Sequence, residues 1–184
     1  MSESKYVCRF LLVIVLLLAI PAILLSIILP PYPPRFYIVD FSIPQSSLVS
    51  KEGQNGTVLF SLEIENQNAV STVYYDDIFL TFYFGEEIVG EKTIPAFHQR
   101  AGRSRKVFDY VDANPRVWKS FLNELISNAK AKLMVGVVSR IREKGGKHHK
   151  LDLQRLLLVG KDGKISGKRR KKIKLRHTTN KWRR

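Results

Sequence analysis

Residues Phe10 to Leu29, FLLVIVLLLAIPAILLSIIL, run for twenty positions without a charge. At ~1.5 Å per helical residue the stretch reaches about 30 Å, the hydrocarbon thickness of a bilayer. The sequence therefore predicts a transmembrane helix over 10–29 behind a tail of residues 1–9. The alternatives are a cleaved signal peptide and a buried core helix. A signal peptide wants an apolar stretch of only ~7 to 15 residues and a small-x-small cleavage site, whereas this run ends in LPPYPPR. Pro21 is compatible with a span, because neighbouring groups and local adjustment satisfy the carbonyl it frees.

Orientation follows from flanking charge. Lys5 and Arg9 precede the run, and only Arg35 lies in the twenty residues after it, which favours a cytoplasmic N-terminus. Asn55-Gly56-Thr57 is an acceptor for N-glycosylation, meaningful only if this part of the chain enters the secretory lumen, with an unused surface turn as the alternative. Both signs put the C-terminus outside the cell. The one cysteine, Cys8, lies at the membrane edge, where S-palmitoylation is accessible and a free interfacial thiol is the simpler reading. A domain after the span has no cysteine, so it needs a real hydrophobic core rather than disulfides.

After the run, Pro30, Pro31, Pro33 and Pro34 form a collar over 30–35 that cannot continue a helix and favours extended polyproline geometry. The pattern then becomes alternating. Val58, Phe60, Leu62 and Ile64 interleave with Leu59, Ser61, Glu63 and Glu65, and Ile78, Leu80, Phe82 and Phe84 repeat the period before a turn at Gly85 to Glu87 and a return strand IVGEKTI. Further strands are expected at Tyr37 to Ile43, Lys106 to Val111, Ala131 to Ile141 and Leu151 to Val159, with turns at REKGGKHHK and GKDGK. One helix is expected, with Asn114 as cap, Pro115 at its first position, and an apolar face of Trp118, Phe121, Leu122, Leu125, Ile126 and Ala129. Six to eight strands and one short helix predict a mainly β chain: an antiparallel β-sandwich over 36–176, with a basic tail over 177–184.

The formal charge is +15, and residues 168–184 carry +10 of it, from ten bases and no acid. Those bases are Lys168, Arg169, Arg170, Lys171, Lys172, Lys174, Arg176, Lys181, Arg183 and Arg184. They are the candidate polyanion-binding residues. Within KKIKLRH the period of two points Ile173 and Leu175 inward and Lys172, Lys174 and Arg176 outward, so part of this segment is expected to be a lysine-protected strand edge.

The sequence IENQNAVSTVYYDDIFLTFYFGEEIVGEKTIPAFHQ, together with the short tail, the single span and the Pro-rich collar, resembles the plant late embryogenesis abundant hydroxyproline-rich glycoproteins, the non-race-specific disease resistance and harpin-induced-like proteins. The resemblance covers about Tyr6 to Leu158. It rests on Asn66-Gln67-Asn68 at the place of an Asn-Pro-Asn motif, on Tyr74-Tyr75-Asp76, on Tyr83-Phe84-Gly85, and on Pro95-Ala96-Phe97-His98-Gln99. Gln67 stands for the usual proline and His98 for the usual tyrosine.

The resemblance implies a single-pass plasma-membrane glycoprotein of plant defence and stress responses, whose ectodomain is a late embryogenesis abundant, fibronectin-III-like sandwich without enzymatic activity. Asn66, Asn68, Tyr74, Tyr75, Asp76, Gly85, Pro95 and Phe97 are its structural motif residues. Asn66, Asn68, Tyr75 and Asp76 read physically as turn and strand-entry residues whose side chains satisfy backbone groups. The cationic end departs from the family.

Catalytic patterns are not found. His98, His148, His149 and His177 lack ligand spacing for zinc, GKDG lacks the length and the Lys-Ser/Thr end of a phosphate loop, and adjacent Asp76-Asp77 or Glu86-Glu87 on a strand point to opposite faces. No cofactor or metal is expected. Two functional readings remain. In one, the sandwich and its basic end meet an anionic wall polysaccharide such as pectate, or protein partners, outside the cell. In the other, an inverted topology turns the basic end to anionic lipid on the cytoplasmic side. Nucleic acid is disfavoured, and oligomerisation through the span or a strand edge is open.

Overall fold

The computed structural model describes residues 3–28, 32–48, 56–143, 146, 148–166 and 172–178. Met1–Tyr32 and Pro33–Arg184 form two separate compact units. The first consists of helix α1, Glu3–Ile28. The predicted span coincides in position with α1, but among the described residues no helix is long and apolar enough to cross a membrane.

The second unit is mainly β. Its elements are β1 (Arg35–Ser42), α2 (Gln45–Leu48), β2 (Thr57–Glu65), β3 (Val73–Tyr75), β4 (Ile78–Phe84), β5 (Glu87–Ile94), β6 (Phe97–Gln99), β7 (Ser104–Asp112), α3 (Pro115–Asn128), β8 (Lys130–Glu143), β9 (His148–Gly160), β10 (Ile173–Lys174) and β11 (Arg176–His177). All pairings are antiparallel. One sheet has the order β10-β1-β2-β7. The other runs β11-β9-β8-β3-β6, and β4 with its partner β5 extends it beside the other half of β8.

The alternation read from the sequence decides what lies between the sheets. Phe36, Ile38, Leu62 and Ile64 of one face Val73, Leu80, Phe82, Leu133, Val135 and Val137 of the other, all but fully buried. Phe41 and Phe60 both pack on Phe82, with ring centroids 5.9 and 5.8 Å apart. Such aromatic pairs add about 0.5–1.5 kcal/mol beyond the area they bury.

The outer face of β2 departs from expectation. Ser61 and Glu63, predicted to face solvent, are 1% and 3% exposed. β2 is an interior strand between β1 and β7, and Lys172 from the C-terminal segment lies over Glu63. The Gly85 turn is as predicted, with a left-handed φ of 62° that closes the β4/β5 hairpin.

Helix α3 closes one end of the sandwich. The Asn114 carbonyl side chain accepts from the Arg116 N–H at 3.1 Å, and Pro115 opens the helix. Two residues of its predicted apolar face are corrected: Ile126 is 63% exposed, and Ala129 is the left-handed C-terminal cap (φ 61°) outside the helix, while Val117 is buried. The Trp118 indole stacks on Phe121 and donates from Nε1 to the Ser47 carbonyl at 3.2 Å. Gly56 lies so close to this ring that a Cβ would meet it at 2.0 Å.

Domain bounds shift slightly. Arg35 belongs to β1 and Pro34 is buried, so the end of the predicted collar is part of the domain. At the other end His177 and Thr178, assigned to the tail, are bound to β9: Thr178 donates its N–H to the Asp152 carbonyl and its hydroxyl to Oδ1 at 2.8 Å.

Candidate functional site: the basic C-terminal segment and the motif network

The C-terminal segment changes sheets. Ile173 and Lys174 pair with β1, the buried Leu175 donates its N–H to the Phe36 carbonyl, and Arg176 and His177 pair with β9 in the opposite sheet. Leu175 therefore points inward as predicted, Ile173 is half-buried, and Lys174 and Arg176 are exposed. Of the ten predicted polyanion-binding residues, Lys168, Arg169, Arg170, Lys171, Lys181, Arg183 and Arg184 lie outside the described residues, as does Asn55.

Lys172 is not a free cation. Its ammonium lies 2.8 Å from Oε2 of the buried Glu63 and 3.2 Å from Oε1 of Glu65, and 5.7 Å from the Tyr37 ring centre. Glu63 Oε2 lacks a well-aligned hydrogen-bond donor, and the ion pair is what meets its charge. The Glu63 and Glu65 carboxylates beside its ammonium raise the Lys172 pKa. Lys172 therefore anchors the segment instead of presenting charge.

The motif residues converge beside this segment, at the end of the sandwich away from α3. Asn66 Nδ2 reaches the carbonyls of Ser71, Gln99 and Arg100 at 2.9, 3.1 and 3.2 Å, while its Oδ1 accepts from Asn68 N and Nδ2. Gln99 Nε2 donates to the carbonyls of Ile64 and Arg103 at 2.9 and 2.7 Å, and its Oε1 accepts from Tyr75 Oη at 3.0 Å. Tyr75 stacks on Phe97 at 4.6 Å and meets Phe36 edge-on. Burial raises the Tyr75 pKa well above the ordinary phenol range. Two loops, 66–72 and 100–103, that cannot use a strand ladder are thus held by buried amides.

Two readings change here. Tyr75 is a core residue rather than a turn residue. The side chain that satisfies a backbone group at the strand break is Asp77, not Asp76: its Oδ1 accepts from Ala96 N at 2.9 Å. Pro95, with no N–H, interrupts the β5–β6 edge there. Gln99 and Asp77 stand inside the motif sequence and both hold backbone groups there. Outward from Tyr74, His98 lies 5.9 Å away and the Arg142 guanidinium 5.2 Å over the ring. Cys8 is exposed on α1. Among the described residues no group of three His, Cys, Asp or Glu could hold a metal ion.

The chain matches no protein-family profile and no curated protein. Its fold is similar to solved structures at low identity. The solution structure of a protein from Arabidopsis thaliana has a TM-score of 0.54 and 10% identity, over 71% of this chain and 83% of that one. A structure described as an ApaA protein from Bordetella pertussis scores 0.48 at 11% identity, over 72% and 96%. A protein from Archaeoglobus fulgidus scores 0.43 at 10%, over 71% and 97%. At such identities the likeness to the Arabidopsis protein shows the fold alone.

Proposed function

We propose that this protein is a non-enzymatic, single-pass plasma-membrane protein of the late embryogenesis abundant hydroxyproline-rich type, with its N-terminus in the cytoplasm. Its β-sandwich presents a cationic C-terminal segment outside the cell to anionic wall polymers. The carrying observation is the separation of charge and hydrophobicity along the chain: an uncharged run at one end, and +10 in the last seventeen residues at the other.

Support for a span comes from α1, whose side chains from Phe10 to Leu18 are exposed around the whole circumference although all are apolar. A helix apolar on every side needs a hydrocarbon environment or a protein interior. Within α1 the uncharged run from Phe10 to Pro21 covers about 18 Å, short of a bilayer's ~30 Å. The uncharged sequence beyond Pro21 supplies the rest. Support for family membership is that Asn66, Asn68, Tyr75, Phe97 and Gln99, which carry the resemblance, form one interlocked network.

Gel mobility of the full chain expressed in plant cells, with and without glycosidase and beside Asn55→Gln, tests the topology. A glycosidase-sensitive band lost in the variant is expected. Modification of cysteines introduced near residue 146 only from the cytoplasmic side would place the domain inside and turn the basic segment to anionic lipid instead. Polyanion binding that persists in molar salt would count against the electrostatic reading, because counterion release makes such binding strongly salt-dependent.

A further inference from the structure

A groove of about 510 Å³ lies on the outer face of the seven-stranded sheet. Its apolar floor is Phe79 on β4 and Val138 on β8, direct cross-strand neighbours that remain 53% and 39% exposed. One end is rimmed by Arg140 and Lys150, cross-strand neighbours on β8 and β9. The other rim is Asp76 and Asp77, at the break between β3 and β4.

An exposed phenylalanine alone needs no explanation. Here it stands with two cations and two carboxylates in one depression, held on rigid strands. Arg140 has no ion-pair partner among the described residues, and Lys150 has only Asp152 at 3.9 Å, with both side chains largely exposed. Asp77 uses one oxygen for Ala96 N, which leaves the other for a ligand. Below them the Ser139 hydroxyl donates to the Asp76 carbonyl and fixes the rim.

We propose that this groove binds one acidic sugar unit of a uronate-type polysaccharide. The C–H face of the ring lies on Phe79, its carboxylate meets Arg140 and Lys150, and its hydroxyls donate to Asp76 and Asp77. The carboxylate rim separates this ligand from a phospholipid surface: sugar hydroxyls supply donors for Asp76 and Asp77, whereas a continuous layer of phosphates repels them. Two residues along β8, Arg142 provides a further cation for a neighbouring unit of the same polymer. The inference rests on the proposed exposure of the domain to anionic wall polymer and gives that polymer a built subsite.

The test uses the detergent-solubilised full chain and a form ending at Thr178. Each is titrated with a defined oligogalacturonate, with the same oligomer after reduction of its carboxylates, and with phosphatidylserine vesicles. Phe79→Ala, and separately Arg140→Gln with Lys150→Gln, are expected to weaken oligogalacturonate binding about tenfold in both forms. The reduced oligomer is expected to bind poorly throughout. Thermal melting checks that each variant is folded, and the charge pair serves if Phe79→Ala is not. Unchanged binding in the groove variants, with loss only on removing residues 179–184, overturns the groove while leaving the basic segment as the binding element. Binding by neither form defeats both readings. Groove variants that lose vesicle binding but keep oligogalacturonate assign the groove to lipid and overturn the proposal.

Discussion

Lys172 Nζ sits 2.8 Å from the Oε2 of Glu63, and that carboxylate belongs to the middle of a sheet with almost no contact with water. A buried carboxylate without its partner is strongly unfavourable. Lys172→Ala is accordingly expected to lower the melting temperature, whereas Lys174→Ala, two residues on and exposed, is expected to leave it nearly unchanged. Differential scanning calorimetry of the two variants decides the matter. Equal melting temperatures would mean that Glu63 finds another cation.

Gly56 and Trp118 make a second close pair. With a Cβ meeting the indole at 2.0 Å, Gly56→Ala must move Trp118, break its bond to the Ser47 carbonyl, or shift the start of β2. A loss of about 1–3 kcal/mol is expected from overpacking, and about 3–5 kcal/mol from Trp118→Ala through the cavity it leaves. Urea denaturation measures both. The double variant should lose less than the sum, because the clash disappears with the ring.

Tyr75 couples the fold to alkaline pH. Its folded pKa is raised by burial above the ordinary value of 10.0, so the unfolded chain releases the phenolic proton first. The folded state then holds more protons, and stability falls as pH rises above about 10, with a limiting slope of ~1.4 kcal/mol per pH unit from this group. Tyr75→Phe is expected to lose about 1 kcal/mol at neutral pH with the bond to Gln99. In return its stability should decline less steeply above pH 10. Denaturation followed at several alkaline pH values reads both effects, and parallel curves for the two proteins would refute the assignment.

Truncation separates structure from charge. A chain ending at Thr178 keeps both terminal strands and loses Lys181, Arg183 and Arg184, so its melt should match the full chain while the salt slope of polyanion binding falls by roughly two to three. A chain ending at Lys172 also loses the buried Leu175 and both pairings, and is expected to melt lower. Identical melts would show that the strand switch contributes nothing.

Hydrophobic period was what made the long strands legible. Val58 to Ile64 and Ile78 to Phe84 sit where their alternation puts them, and Asn114-Pro115 starts α3 by chemistry that is entirely local. The three-residue strands β3 and β6 are too short to show a period and exist through pairing with each other and, for β3, with β8, more than sixty residues downstream. Glu63 was read as a surface residue for the same reason: period of two gives the face, not what covers it, and Lys172 comes from 109 residues downstream. The groove around Phe79 joins residues from β4, β8 and β9 that no spacing rule connects.

The strand switch at Leu175 also sets when the domain can finish folding. β1 is the first strand of the domain, and the partner on its outer edge is β10, from the last described segment. Until residues 173 to 177 have been synthesised, the Phe36 carbonyl has no Leu175 N–H to accept and both sheets carry an open edge. Contacts so distant in sequence form slowly, since the intervening chain must be ordered before they are rewarded. Until then the outer edges of β1 and β9 stay unpaired and open to pairing with a neighbouring chain, and the arrival of β10 and β11 covers both at once.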